Sequence, residues 1–171
     1  MLKNLARLST CLLSAILAAG AAFPVKAQVR LGPPLKIGFV YVSPVGEAGW
    51  TYQHDQGRRE MEQALGPRVQ TSVVESVAEG PDAERVLRDL AAQGHGLIFA
   101  TSFGYLEPAL RVAAQYPGVR FEHAGGYRTA TNLNTYNARY YEARYLAGLL
   151  AGKSSKRGVA GYVAGFPVPE V

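Results

Sequence analysis

Lys36-Ile37-Gly38-Phe39-Val40-Tyr41 (KIGFVY) is a short run of β-formers, and the Val42–Gly49 stretch behind it is crowded with turn residues. Thr51–Leu65 then takes up helical spacing until Gly66-Pro67 stops it. Projected as an α-helix, this segment sets Gly57, Met61, Ala64 and Leu65 on one face and Asp55, Arg59, Glu62 and Gln63 opposite. A strand feeding a helix through a glycine-bearing loop is the unit from which the rest of the chain is read.

The unit repeats. Val69–Val77 is a second strand, and Gly80-Pro81 opens a helix whose Ala83, Val86, Leu87, Leu90 and Ala91 form one apolar stripe. Gly96–Ala100 (GLIFA) is continuously apolar, as expected for a strand covered on both faces. A third helix runs over Leu106–Gln115, Val119–His123 is a fourth strand, and Asn132–Tyr136 a short fifth. A fourth helix is expected over Ala138–Leu150, burying Tyr141, Tyr145, Leu146 and Leu149, and a last strand over Gly158–Val163. Such alternation predicts an α/β fold with a parallel, doubly wound sheet. In the order 2-1-3-4-5, ligands bind beyond the strand C-termini where the order reverses, between strands one and three.

The loops at that point are therefore the candidate site. The first offers Gly46 and Gly49, which let backbone approach a guest, and Trp50, the only tryptophan. Trp50, Gln53 and His54 share the projected inward face with Gly57 and Met61, one turn from the helix start. An isolated tryptophan is more often a packing residue; its place at the switch point makes a ligand contact an equal reading. The second loop, Thr101-Ser102-Phe103-Gly104-Tyr105, offers hydroxyls, a helix start that could hold an anion, and two aromatics. Neither loop carries Lys or Arg, so a phosphate would lack a partner. The set suits a flat, neutral, hydrogen-bonding guest, since each aromatic contact adds about 0.5–1.5 kcal/mol beyond burial. Gly125-Gly126-Tyr127-Arg128 reads as a plain turn on the same rim.

Enzyme classes find little support. No dinucleotide fingerprint follows the first strand and no P-loop occurs. His54, His95 and His123 lack metal-ligand spacing, His54 and Asp55 diverge on their helix, and Ser102 has no nucleophile-elbow context. No cofactor is called for.

The 171 residues, 48% hydrophobic and 18% charged, have an ordinary globular composition with a formal charge of +5. Lys3, Arg7 and Lys26 belong to a segment, 1–27, that reads as a secretory signal: a basic start, an apolar stretch from Cys11 to Ala22, and Val25-Lys26-Ala27 before Gln28. Without those three, 15 Lys and Arg face 13 Asp and Glu, and the basic balance no longer argues for a nucleic-acid partner. The apolar stretch is about half of the ~20 residues a spanning helix needs. Cys11 is the sole cysteine and precedes the apolar stretch, so a mature chain from Gln28 would hold no disulfide or thiolate metal site.

Five segments in order resemble the basic membrane protein family, the purine-nucleoside-type substrate-binding proteins of ABC importers. These are Gly49-Trp50 with Gly57, Ser102-Phe103-Gly104-Tyr105, Ala113 through Tyr116-Pro117 to Phe121, Glu142 through Tyr145-Leu146-Ala147-Gly148, and Gly161-Tyr162-Val163-Ala164-Gly165. The similarity runs from about Lys36 to Val171. It implies a type I periplasmic binding protein fold of two lobes and a hinge, and an ABC permease as partner. It gives Trp50 the place of the family's ligand-stacking Phe and puts Phe103 in the second pocket loop. Thr51 stands where the family often has Asn, and a lipidated N-terminal Cys common there is missing.

Beyond the signal peptide read at 1–27, the resemblance implies an N-terminal lobe at 36–134 and a hinge with the start of a truncated second lobe at 135–171. The expected function is capture of a purine nucleobase or nucleoside in the periplasm, with Gly46, Gly49, Trp50, His54, Ser102, Phe103 and Gly104 as ligand-binding residues. A sugar or signalling molecule is the alternative ligand. The sensing half of a transcription regulator and an exported enzyme are the readings from other classes.

Overall fold

The computed structural model describes residues 32–168. The expected signal segment, 1–27, lies outside them. Five strands form one sheet: β1 (Leu35–Val40), β2 (Val69–Val74), β3 (Leu97–Ala100), β4 (Arg120–Ala124) and β5 (Leu133–Tyr136). Every neighbouring pair is parallel and the order is β2-β1-β3-β4-β5. The strand order reverses at β1, in the order assumed above for the switch point. Helices α1 (Trp50–Leu65), α2 (Pro81–Ala92) and α3 (Leu106–Gln115) follow β1, β2 and β3, and α4 (Tyr140–Ser154) follows β5.

Side chains alternate across each strand, so the sheet has two apolar faces. On one, Val40, Ile98, Ala100 and Phe121 pack against the stripe Ala83, Val86, Leu87 and Leu90 of α2 and against Ala109 and Val112 of α3. Each fully buried Val or Leu here contributes roughly 1.5–3 kcal/mol. On the other, Ile37, Phe39 and Tyr41 meet Met61 of α1 with Val69, Val73, Leu97 and Phe99. Leu97 and Phe99 stay half-buried, so β3 is sealed on one side only, against the expectation of two covered faces. The reason is that α1 is the one described helix that joins that second cluster.

The link from β4 to β5 is tied down by Asn132. Its buried side-chain amide donates to the carbonyls of Ala113, Tyr116 and Val119 at 3.0, 3.0 and 2.8 Å. Two of these three lie at the end of α3 and just beyond it, where backbone carbonyls lack intrahelical partners.

Three expectations are corrected. Asp55, placed opposite the apolar face of α1, is only 2% exposed, while Gly57 and Ala64 are exposed. The carboxylate is buried because its partners travel with it: Arg58 and Arg59 each donate through Nε at 2.7 Å, and the Tyr41 hydroxyl lies at 3.4 Å. Burial raises the Asp55 carboxyl pKa, but the hydrogen bonds from Arg58 and Arg59 outweigh it and hold the group below the usual carboxylate range. Second, α4 has no buried residue, and Tyr141, Tyr145, Leu146 and Leu149 are exposed. No other described element covers them. Third, residues 158–163 form no strand, because no described strand pairs with them.

Candidate functional site

The site is built at the C-terminal ends of β1 and β3. Gly49 precedes α1 with φ +96°, a conformation that L side chains rarely adopt, and its carbonyl accepts the first helical hydrogen bond from Gln53 N at 3.1 Å. This turn puts Trp50 at the first helical position. The indole is 39% exposed, and its Nε1 donates to the carbonyl of Thr101 at 2.5 Å. Thr101, just past β3, is fully buried and donates through Oγ1 to Val40 O at 2.8 Å. The indole is therefore tethered to the two strand ends that flank the switch point.

His54 lies one turn further along α1. Its Nδ1 sits 2.9 Å from the Trp50 carbonyl, and its ring leans on the indole with centroids 4.8 Å apart at 51°. Burial holds its pKa below the ordinary imidazole value, opposed by the hydrogen bond to Trp50. Further rings continue in both directions. Tyr140 is 6.1 Å from Trp50, Tyr136 is 6.1 Å from His54 and 6.2 Å from Phe99, and Phe99 stacks on Phe39 at 4.7 Å. A line of aromatic rings thus runs from the sheet interior to the rim.

The second loop is organised by a residue the sequence reading passed over. Glu79 Oε1 accepts from Ser102 Oγ at 2.6 Å and from Gly104 N at 3.1 Å. The loop donors expected to be open to an anion are thus filled by the chain's own carboxylate. A Cβ on Gly104 would overlap that carboxylate, which explains the glycine. Behind it, the buried Tyr105 hydroxyl donates to Val77 O at 2.6 Å, and burial raises its pKa above the ordinary phenol value.

Phe103 meets Tyr127 of the Gly125–Arg128 turn, with centroids 5.9 Å apart. Gly46, with φ +60°, shapes loop one beside Val45, whose N–H donates to Glu75 Oε2 at 2.9 Å. Of the expected site residues, Trp50 and His54 are in direct contact, with Gly49 supporting them. Ser102 and Gly104 are joined through Glu79, Phe103 pairs with Tyr127, and Gly46 shapes its turn. A glutamate directly before Gly80-Pro81 was the available signal for Glu79. Tyr136 and Tyr140 sit at the end of β5 and start of α4, outside the two loops the switch-point rule selects.

A cavity of about 480 Å³ lies at the other end of the sheet, lined by Leu97, Arg120, Glu122, Thr131 and Asn134 among others. It holds none of the expected site residues. Among the described residues, no group of His, Cys, Asp and Glu is placed to hold a metal ion, and no helix is long and apolar enough to cross a membrane.

A parallel lobe of this kind is a doubly wound α/β fold. The structure matches an ABC transporter solute-binding protein from Conexibacter woesei with a TM-score of 0.60 at 24% identity, over 69% of this chain and 40% of that one. At the level of sequence, residues 35–171 match the model of the PnrA-like ABC transporter substrate-binding proteins, and the chain belongs to that family. Over 91% of its length it is 51% identical to a purine-binding protein of Brucella abortus, covering 45% of that relative. Over 82% it is 42% identical to a Haloferax volcanii protein named for glucose binding in an ABC transporter, covering 35% of it. The chain spans less than half the length of these relatives. The family is one of solute-binding transport proteins rather than enzymes.

Proposed function

We propose that this chain contributes the N-terminal lobe of a substrate-binding protein that captures a purine nucleobase or nucleoside for an ABC importer. Residues 36–134 make the lobe, the hinge crossing falls at 135–137, and the second lobe begins after it. The ligand lies against the exposed face of Trp50, with His54, Gly46, Gly49, Ser102, Phe103 and Gly104 around it. Contacts from both lobes favour the closed state, and the closed protein docks on its permease. The protein works in the periplasm after removal of 1–27.

The observation that carries this reading is the tethered indole. Its ring is half exposed at the strand ends, while its N–H is engaged by Thr101 O, so what it offers a guest is a flat apolar face. The 51% identity to a purine-binding protein supports the same ligand class. A sugar is the second reading, favoured by the relative named for glucose binding. Sugar pockets usually need several charged or amide side chains, and the two loops bring chiefly aromatics and glycines.

The complete protein, titrated with adenine, guanine, nucleosides, ribose and glucose while tryptophan emission is followed, tests the proposal. Saturable quenching by a purine is expected, with the affinity read by calorimetry falling in Trp50→Ala. Saturable binding of ribose or glucose with no response to any purine overturns it.

A further inference from the structure

Two side-chain donors at the strand ends are already engaged. Trp50 Nε1 is held by Thr101 O and Ser102 Oγ by Glu79 Oε1. His54, in contact with the indole, adds an acceptor. His54 Nδ1 is turned back along α1 to the Trp50 carbonyl, which can only accept, so Nδ1 carries the ring proton. In the neutral ring Nε2 then presents its lone pair. This atom has no hydrogen bond to any described residue and is not sealed from solvent. The imidazole is tilted 51° to the indole, with centroids 4.8 Å apart, rather than stacked parallel to it. A planar guest that contacts Trp50 therefore has the His54 ring as a neighbour, tilted to the indole and offering a lone pair.

We infer that His54 Nε2 is a specificity-determining acceptor that selects a guest with an in-plane N–H donor. Resting on the purine reading above, it takes the exocyclic amino group of a base such as adenine. A base with a methyl group at that position leaves the lone pair unpaired, and a site built to hydrogen-bond a group rejects the analogue lacking it.

The test compares adenine with 6-methylpurine, a ligand of similar size without the donor, by calorimetric titration of the complete protein. Wild type is expected to prefer adenine by about tenfold or more. His54→Phe keeps a flat ring and loses the acceptor, so the preference for adenine over 6-methylpurine falls toward unity. His54→Gln, whose amide oxygen can accept, keeps part of the preference. Because the readout is a ratio within one protein, a fall in the folded fraction does not imitate it. An unchanged ratio in His54→Phe, or equal weakening of both ligands, overturns the role of His54 and leaves the purine reading standing. Wild type that binds neither of these two overturns the role of His54, and the purine reading falls with it only when guanine and the nucleosides also fail to bind.

Discussion

Glu79 and Ser102 are 23 residues apart, yet the carboxylate of one caps the loop of the other at 2.6 Å and takes the Gly104 N–H with the same oxygen. Glu79→Ala leaves both donors short of a partner and is expected to cost about 1–3 kcal/mol in urea denaturation. Gly104→Ala displaces the carboxylate and breaks the same bonds. The double variant should therefore cost little more than Glu79→Ala alone. Additive losses would mean that the two residues act separately.

Asp55 is the buried charge of α1. Its Arg58 partner is largely buried and reaches on to Glu62 Oε2 at 2.9 Å and Thr71 Oγ1 at 3.0 Å, whereas Arg59 is mostly in water. Removing the carboxylate takes away the buried partner of Arg58 Nε and leaves its guanidinium only Glu62 and Thr71. Asp55→Ala is expected to lower stability by about 3 kcal/mol. Arg59→Ala should cost under about 1 kcal/mol, because exposed pairs contribute little. Equal losses in thermal denaturation would contradict this ranking.

His123, at the end of β4, is fully buried, and neither ring nitrogen has a hydrogen-bond partner among the described residues. Burial pushes its pKa down to about 4, with the backbone at Ser102 and Phe103 pulling weakly the other way. The unfolded chain protonates near 6.5, so between pH 6.5 and 4 it binds the proton the folded state refuses. Stability is full above that window and falls by roughly 3 kcal/mol as the pH drops through it. In His123→Leu the slope across pH 6.5 to 4 should flatten. A slope identical to wild type would show that other groups set the acid response.

Gly126 sits against His123. A Cβ there would lie 2.6 Å from Thr135 Cγ2, 2.7 Å from His123 Nδ1 and 3.2 Å from Leu106 Cδ1. Gly126→Ala is expected to cost about 1–3 kcal/mol through overpacking. Chemical denaturation reads the cost, and Gly118→Ala, where nothing lies within 4 Å, is the neutral control.

The sheet was legible because parallel strands and amphipathic helices write their burial into composition. GLIFA and the α2 stripe read directly as β3 and its covering helix, and the observed strand order is the one assumed for the switch point. The placement of Trp50 was legible for the same reason: the switch-point rule names a location without needing side-chain detail. What stayed hidden were contacts between distant polar residues. Asp55 looks like a surface residue until Arg58, Arg59 and Tyr41 surround it, and nothing local in Glu79 announces Ser102. The exposure of α4 was misjudged because periodicity reports that a helix has an apolar face, not that something lies against it.

That bare helix has a practical consequence. Tyr145, Leu146 and Leu150 on α4, with Tyr162, Val163 and Phe166 beyond it, present oily surface to water, from 65% exposure at Leu146 to 94% at Val163. Contiguous apolar patches larger than a few hundred Å² are rare on soluble monomers. Prepared by itself, this polypeptide is therefore expected to clump as its concentration rises and to light up a hydrophobic dye. A version trimmed after Tyr136 should stay dispersed.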